Sequence, residues 1–432
     1  MEEDKIIVGL DIGTTKICVI VGRENEYGKL EVLGMGKAVS DGVIRGIVTN
    51  IEKTIKAIEK AVVEAEEQSG INIRIVNVGI AGQHIKSTIH HGSITRATSD
   101  DEITVEDVIR LTNDMYRIVI PPGSEIIHVM PQSYTIDYEE DIKDPVGMSG
   151  VKMEADFHII TAQTNAINNI NKCAKRAGLV IENLILEPLA SSLSVLSDEE
   201  KESGICLVDI GGGTTDIAIF HENIIRHTAV IPFGGNIITN DIKQGCGVLE
   251  PQAELLKTRF AKAIAEEASP NEIVSIPGLK GRPSKEISVK NLAHIVEARM
   301  EEIIELVHSQ IIMSGYEGKL AGGIVVTGGG AQLINLQQLI EYMTGMDVRV
   351  GYPNEHLGKA KVDAVKSPMY ATSVGLVLSG FMGLDDRENQ YMEFKNDGKQ
   401  KLKPVTEDNF FKKIIEKTKG LLIDDIDEKE DY

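Results

Sequence analysis

The sequence predicts an α/β protein built of two similar lobes that face one cleft. The main support is an internal repeat. Ile7-Val8-Gly9-Leu10-Asp11-Ile12-Gly13-Thr14-Thr15-Lys16-Ile17-Cys18-Val19-Ile20-Val21 is echoed by Ile205-Cys206-Leu207-Val208-Asp209-Ile210-Gly211-Gly212-Gly213-Thr214-Thr215-Asp216-Ile217-Ala218-Ile219-Phe220. Each copy reads as an apolar strand ending in Asp, a glycine-threonine turn and a β-branched return strand, a hairpin with a carboxylate- and hydroxyl-rich tip. Asp11 and Asp209 stand 198 residues apart, so the tips belong to different units. A chain of 432 residues also exceeds one core of ~100–200 residues. Helix-period and strand-like segments alternate on both sides of the repeat.

Taken in order, residues 51–68 repeat apolar side chains at helical period and are closed by Gly70, and 73–80 are strand-like. From about 85 to 160 the texture changes to alternating strands, one helix near 105–118 and a turn cluster at Pro121-Pro122-Gly123, which reads as an inserted subdomain. A helix over 165–177 and a strand over 179–186 leading to Pro188 return to the first pattern. After the second hairpin, 236–244 and 251–268 read as helices, 273–287 as a Gly/Pro-punctuated strand region, and 288–314 as a long helix, together a second insertion. Residues 324–331 are a buried strand opening into a helix, and 369–380 a closing helix of small residues. The division expected is 1–85, 161–203 and 373–384 for the first lobe and 86–160 for its insertion. The second lobe takes 204–235 and 316–372, with 236–315 inserted. A linker over 385–408, a helix over 409–422 and a tail over 423–432 complete the chain.

Composition narrows the function. With 45 Lys and Arg against 66 Asp and Glu, the net charge of −21 repels a phosphate backbone and sets general nucleic-acid binding aside. Cys18, Cys173, Cys206 and Cys246 are scattered, without CxxC spacing, and read as reduced, buried cysteines of a cytosolic protein. The acidic start Met1-Glu2-Glu3-Asp4-Lys5 lacks the basic region and long apolar core of a signal peptide. No stretch of ~18–20 apolar residues offers a membrane-spanning helix.

Three glycine-rich turns follow apolar strands. They comprise Asp11, Gly13, Thr14, Thr15 and Lys16; Asp209, Gly211, Gly212, Gly213, Thr214 and Thr215; and Gly328, Gly329 and Gly330. Glycine lets backbone N–H groups approach a phosphate, and threonine hydroxyls add donors. For any one turn an ordinary tight hairpin is the alternative; three at strand ends, two opening with Asp-Ile-Gly, point to a cleft that grips a polyphosphate from both sides. Asp11 and Asp209 would then hold Mg²⁺ mostly through its waters, because Mg²⁺ dehydrates reluctantly, and Lys16 would face the β- or γ-phosphate. The chain has no GxxxxGK[ST] and no complete GxGxxG, which excludes a P-loop enzyme and a dinucleotide-binding one. His90-His91 reads as a surface pair without a metal-ligand partner. Gly147-Met148-Ser149-Gly150 lacks nucleophile-elbow spacing and reads as a loop.

The order of DIGTTK at 11–16, DIGGGTTD at 209–216, VVTGGGA at 325–331 and Met369-Tyr370-Ala371-Thr372-Ser373-Val374-Gly375 resembles the phosphate-1, phosphate-2, adenosine and second connecting motifs of the actin, sugar kinase and heat-shock chaperone ATPase superfamily. With the inserted block and a tethered terminal segment, the chain resembles the FtsA family of bacterial cell-division actin homologues over about residues 5–382 and again at 409–422. The resemblance implies an actin-like (ribonuclease H-like) two-lobed ATPase fold with ATP and Mg²⁺ as cofactors. It implies a peripheral protein on the cytoplasmic face of the inner membrane at the division site, forming filaments with itself. Such a protein binds the C-terminal peptide of the tubulin-like FtsZ, tethers the Z-ring to anionic lipid and meets other division proteins at the septum. It places Gly234, Gly235 and Asn236 near phosphate or ribose, Glu254 and Lys257 near the nucleoside, and Arg299, Glu302 and Ile303 toward the FtsZ peptide. A solvated helix face is the alternative for Glu254 and Lys257. Hydrolysis needs a residue to orient water; Asp209 is the candidate by motif position, and turnover is expected to be slow or absent.

The end of the chain is a different object. Residues 385–408 are charged and poor in apolar side chains, a linker. Phe410, Phe411, Ile414, Ile415, Thr418, Leu421 and Leu422 then take one helical face, and Lys412, Lys413, Glu416, Lys417 and Lys419 the other, with Thr406, Asp408 or Asn409 as caps. A local charge of +3 over 410–419 suits an anionic lipid surface; docking on the protein's own core is the alternative. One such helix anchors only marginally, on the order of 10⁴ M⁻¹, so stable attachment requires many on one polymer. Ten further residues, with six acids against one lysine, depart from the family, whose helix usually ends the chain, and should weaken or tune insertion. Two rival readings stand beside this one. A small-molecule kinase would need a catalytic acid for a substrate hydroxyl. An actin-like adaptor of pilus or secretion assembly shares the inserted subdomain but binds an inner-membrane peptide.

Overall fold

The computed structural model describes residues 5–97, 102–278, 283–358 and 363–383. The predicted linker, amphipathic helix and acidic tail, and with them Phe410 to Leu422, lie outside the described residues.

Each copy of the repeat folds as the antiparallel hairpin its pattern dictates: Ile6–Ile12 with Lys16–Glu24, and Ile205–Ile210 with Thr215–His221. Both strands of each hairpin are apolar on both faces, so each hairpin must lie in the middle of a covered sheet. In the first lobe the order is Val180–Leu186, Ile75–Ile80, Ile6–Ile12, Lys16–Glu24, Leu30–Val39. In the second it is Val348–Val350, Ile324–Thr327, Ile205–Ile210, Thr215–His221, Ile224–Ile231. The two sheets have one topology: three antiparallel strands in sequence, then two parallel ones added beside the first.

In the first lobe, Leu10, Ile17 and Val19 are fully enclosed under the helices Ile51–Ser69 and Thr164–Arg176. Each such side chain contributes roughly 1.5–3 kcal/mol by leaving water. The first helix starts at Asn50, whose side chain accepts from the Lys53 N–H at 3.0 Å, and stops at Gly70, which takes the left-handed φ of 74° that closes a helix. Ile7, Cys18 and Ile20 point to the opposite face and are covered by a helix over residues 371–383. In the second lobe the long helix Val289–Ser314 buries Leu292, Val296, Met300, Ile303, Val307 and Ile311 at helical spacing against that lobe's sheet.

The inserted subdomain is a four-stranded antiparallel sheet, in the order Ile85–Thr95, Lys152–Gln163, Ser124–Ile136, Glu139–Ile142. The helix Val105–Met115 covers one face, started by a reciprocal cap between Thr104 and Asp107. The other face does not meet solvent: Met130 and Ile160 enter a core shared with Leu189, Leu207, Phe220 and Ile225. The insertion therefore packs at the junction of the two lobes.

Several boundaries differ from those the sequence pattern predicts. The helix expected over 251–268 is Glu250–Phe260, followed by a single 3₁₀ turn at Ala265–Glu267. The chain turns extended at Ala261 because Lys262 and Ala263 bridge to Ile334, and that long-range pairing overrides local helix preference. The region 273–287 is a short hairpin, Ile273–Ile276 with Lys285–Ser288. The turn after Ile324–Thr327 opens into a 3₁₀ turn, Gly330–Gln332, with a helix only from Leu336. The helices Glu187–Val195 and Asp198–Ser203 were not expected. All four cysteines are buried and unbridged. Among the described residues, no helix is long and apolar enough to cross a membrane.

Candidate functional site

The two hairpin tips meet face to face. A Cβ at Gly212 would lie 2.4 Å from the Thr15 hydroxyl oxygen, and one at Gly213 would lie 2.6 Å from that of Thr14. Only glycine permits this approach. Around the tips opens a cavity of about 440 Å³, in the size range of small-ligand sites. It is lined by Asp11, Gly13, Thr14, Thr15 and Lys16 from the first lobe and by Asp209, Gly211, Gly212, Gly213 and Thr214 from the second. Gly235, Asn236, Glu254 and Lys257 line its far end, with Gly328, Gly329 and Gly330. The third glycine turn is equally constrained: Gly328 has φ of 84°, and a Cβ there would lie 2.3 Å from Asp209 Oδ1.

Each aspartate is held by hydroxyls from helices that cross between the lobes. Ser373 donates to Asp11 Oδ2 at 2.9 Å, and Lys16 Nζ donates to the same oxygen at 3.0 Å. Ser191 and Thr372 donate to Asp209 Oδ2 at 2.8 and 3.2 Å. The crossing helices, Glu187–Val195 and 371–383, touch so closely that a Cβ at Gly375 would lie 1.8 Å from the Ala190 carbonyl oxygen. At the far end Lys257 pairs with Glu254 at 2.8 Å and donates to the Gly235 carbonyl at 2.9 Å, so both side chains are fixed toward the cavity.

The phosphate-loop end holds four carboxyl groups, Asp11, Glu187, Asp209 and Asp216, with Lys16 among them. Burial, and next the charge of Asp11, push the Glu187 carboxyl well above the ordinary range. Burial raises Asp209 as well, against the hydrogen bonds from Ser191 and Thr372. Asp216 is pushed up to about 7 by burial and then by Asp209. Burial works against the Lys16 ammonium, yet the Asp11 carboxylate beside it holds its pKa above the ordinary value. This excess of acid fits a divalent cation: Asp216 Oδ1 is buried with no hydrogen-bond partner, and the donors are the hard oxygens Mg²⁺ takes. Among the described residues no three His, Cys, Asp or Glu side chains are grouped to bind a metal by themselves.

Some sequence expectations land elsewhere. Thr215 is fully buried and donates to the Phe233 carbonyl at 2.9 Å, and Gly234 packs beneath Gly211, so neither lines the cavity. Ile303 is wholly enclosed in the second-lobe core; the expectation that it meets a partner is corrected, because its apolar side chain fastens the long helix to its sheet. Arg299 and Glu302 are on the same helix near the surface and pair with each other, while Arg299 also binds Asp241 at 2.5 Å. His91 is exposed between Glu154 and Asp156. The sequence reading missed Glu187 and Ser191, and it quoted Asp216, Thr372 and Ser373 within motifs without giving them a role. The available signal for Glu187 was an Asp/Glu-Pro pair at a strand end, which starts a helix with its carboxyl in the first turn.

A family model described as "Cell division protein FtsA" matches residues 206–375, and one described as "SHS2 domain inserted in FTSA" matches residues 82–161. The cell division protein FtsA of Pseudomonas aeruginosa is 43% identical over 386 residues, 89% of this chain and 92% of that protein. Those of Escherichia coli K12 and Bacillus subtilis are 37% and 34% identical, each over 87% of this chain and over 90% and 84% of their own length. Among solved structures, a PilM–PilN type IV pilus biogenesis complex matches with TM-score 0.62 at 15% identity, covering 88% of this chain and 99% of that one. MreB5 of Spiroplasma citri bound to ADP matches with TM-score 0.51 at 15% identity, covering 90% and 98%. These structures establish the actin-like fold.

Proposed function

The chain belongs to the FtsA family of cell-division proteins, and from that premise we propose that it binds ATP with Mg²⁺ between its lobes, polymerises on the cytoplasmic membrane, binds the FtsZ C-terminal peptide and tethers the Z-ring. The observation that carries the nucleotide reading is the meeting of two glycine-threonine tips around four carboxyl groups and a lysine. Backbone N–H groups of Gly13, Gly212 and Gly213 would cradle the phosphates, while the Gly211 N–H closes the turn on the Thr214 carbonyl at 2.9 Å, and Glu254 and Lys257 would bound the nucleoside. MreB5 structures with ADP and with AMPPNP on the same fold support that reading. Mg²⁺ held near Asp11 and Asp209 would neutralise charge on the phosphate oxygens.

For hydrolysis, Glu187 suits the water-orienting role better than Asp209. Asp209 is buried and already fixed by the hydroxyls of Ser191 and Thr372, whereas Glu187 is half-buried. Glu187 lies over Gly79, where a Cβ would come 3.2 Å from its Oε1, and its side chain faces the cavity.

The partner and membrane roles rest on other residues. Arg299 presents a cation on the long helix, and an acidic FtsZ peptide would compete with Asp241 and Glu302 for it. Phe410, Phe411, Ile414, Ile415, Leu421 and Leu422, with Lys412, Lys413 and Lys417, would enter anionic lipid. Co-sedimentation with anionic liposomes, with and without ATP, tests the membrane-tether part of the reading by comparing the full chain with one ending at Lys403. ATP-dependent pelleting that is lost on truncation is the expected result. If neither protein pellets, the membrane-tether reading fails.

A further inference from the structure

The inserted subdomain meets the start of the helix that carries Glu187 through a buried polar side chain as well as through the apolar contacts of Met130 and Ile160. The strand Ser124–Ile136 carries His128, which is 5% exposed, and the Leu186 N–H donates to its Nε2 at 3.1 Å. Leu186 is the residue before Glu187, and it is where the chain turns from the strand Val180–Leu186 into the helix Glu187–Val195. That N–H belongs to a helix start whose residue before the first turn has no side-chain cap of its own. Without His128 the donor would be buried and unsatisfied, at a cost on the order of 1–3 kcal/mol. Because Nε2 accepts, the ring is neutral with its proton on Nδ1, and burial holds its pKa down to about 4, so it stays neutral under ordinary conditions.

The same strand touches the opposite lobe. Four residues on, Gln132 Nε2 donates to the Ile225 carbonyl at 2.9 Å, and Arg226 Nη1 donates back to the Gln132 carbonyl at 3.3 Å. On the neighbouring strand His158 Nε2 lies 3.2 Å from the Thr228 hydroxyl. Between these polar contacts Met130 is enclosed in the core shared by both lobes. A single strand of the insertion therefore braces the turn that aims Glu187 and grips the edge strand Ile224–Ile231 of the second lobe.

We propose that His128 is a positioning residue: through the Leu186 N–H it fixes the start of the Glu187–Val195 helix, and so couples the inserted subdomain to the placement of Glu187 in the cleft. The turnover part of this inference rests on the water-orienting role proposed for Glu187; the contact itself does not. By reciprocity, a ligand that shifts the insertion must alter nucleotide binding as much as nucleotide alters the ligand.

The test uses the full chain with His128→Leu, His128→Gln, Glu187→Gln and the double variant His128→Leu with Glu187→Gln. Hydrogen exchange is followed at the Leu186 and Glu187 amides with and without ATP and Mg²⁺, and phosphate release is measured alongside. The Gln side chain can still accept from Leu186 and serves as the folded control. We expect exchange at Leu186 to quicken at least about tenfold in His128→Leu, with most protection restored in His128→Gln. Phosphate release in His128→Leu should fall toward that of Glu187→Gln, and the double variant should fall no further. Unchanged protection at Leu186 in His128→Leu would overturn the positioning role, as would losses that multiply in the double variant. Phosphate release unaffected by Glu187→Gln would instead defeat the water-orienting reading, leaving the exchange result to decide the contact.

Discussion

The two hairpins that face each other in the cleft share a sheet order, a four-residue tip and an aspartate at the end of the first strand. They differ in what stands across from that aspartate. In the first lobe Asp11 pairs in register with Cys18, a neutral thiol, and Lys16 at the tip folds back on it. In the second lobe Asp209 pairs with Asp216, a second carboxyl. Like charges directly opposite on a ladder are unfavourable, and burial first, with Asp209 second, pushes the Asp216 carboxyl up to about 7. One scaffold used twice thus yields a wall with a cation and a wall with surplus acid. The first suits phosphate, and the second suits the metal that phosphate carries.

The largest effect is expected where the comparison is most lopsided. Asp209→Ala should weaken Mg·ATP binding about 100-fold, roughly 2.7 kcal/mol, whereas Asp11→Ala should cost only about tenfold, because it also frees Lys16 for the phosphates. Titration with a fluorescent ATP analogue, with and without Mg²⁺, decides this; equal losses would mean the two walls do the same work.

Next comes Asp216. Its folded-state pKa is raised, so between about pH 4 and 7 the unfolded chain has released a proton that the folded chain still holds. Stability attributable to this group therefore falls as pH rises through that window. Asp216→Asn should be more stable than the native protein by roughly 2–4 kcal/mol at pH 8, with the difference disappearing near pH 4. Denaturant melts at both pH values measure it, and a gain independent of pH would remove the carboxyl pair as its cause.

A smaller change is expected from Lys16→Met, about tenfold weaker ATP binding with little change for adenosine, read by the same titration. Smallest should be Cys18→Ser, which keeps a neutral side chain opposite Asp11. It should shift stability by about 1 kcal/mol and leave nucleotide affinity unchanged. A large loss of affinity there would show that the first lobe also depends on its cross-strand partner.

How far the sequence could be read depends on the range of the interaction. Asp11, Gly13, Asp209, Gly211 and Gly328 were legible because a strand end and a glycine turn are written within a few consecutive residues. The register was not. Aligning the two copies on their Thr-Thr pairs sets Lys16 against Asp216, yet the ladder counts from the aspartates and makes Lys16 equivalent to Thr214 and Cys18 to Asp216. Ile303 was expected with Arg299 toward a partner peptide, and the packing of the long helix on the second-lobe core buries it instead. The shortened helix at Glu250–Phe260 yielded to a bridge with Ile334, more than seventy positions along the chain.

By itself the sequence determined the two hairpins, the glycine turns, the excess of acid and the place of the insertion, since strand period, turn chemistry and charge are local properties of a chain. Only the tertiary structure decided that Ser191, Thr372 and Ser373 hold the two aspartates, that Glu187 faces them over Gly79, and that His128 braces the turn before it. Those contacts join elements far apart in sequence, and their partners are chosen by how two sheets and two crossing helices pack, which no neighbouring residue records.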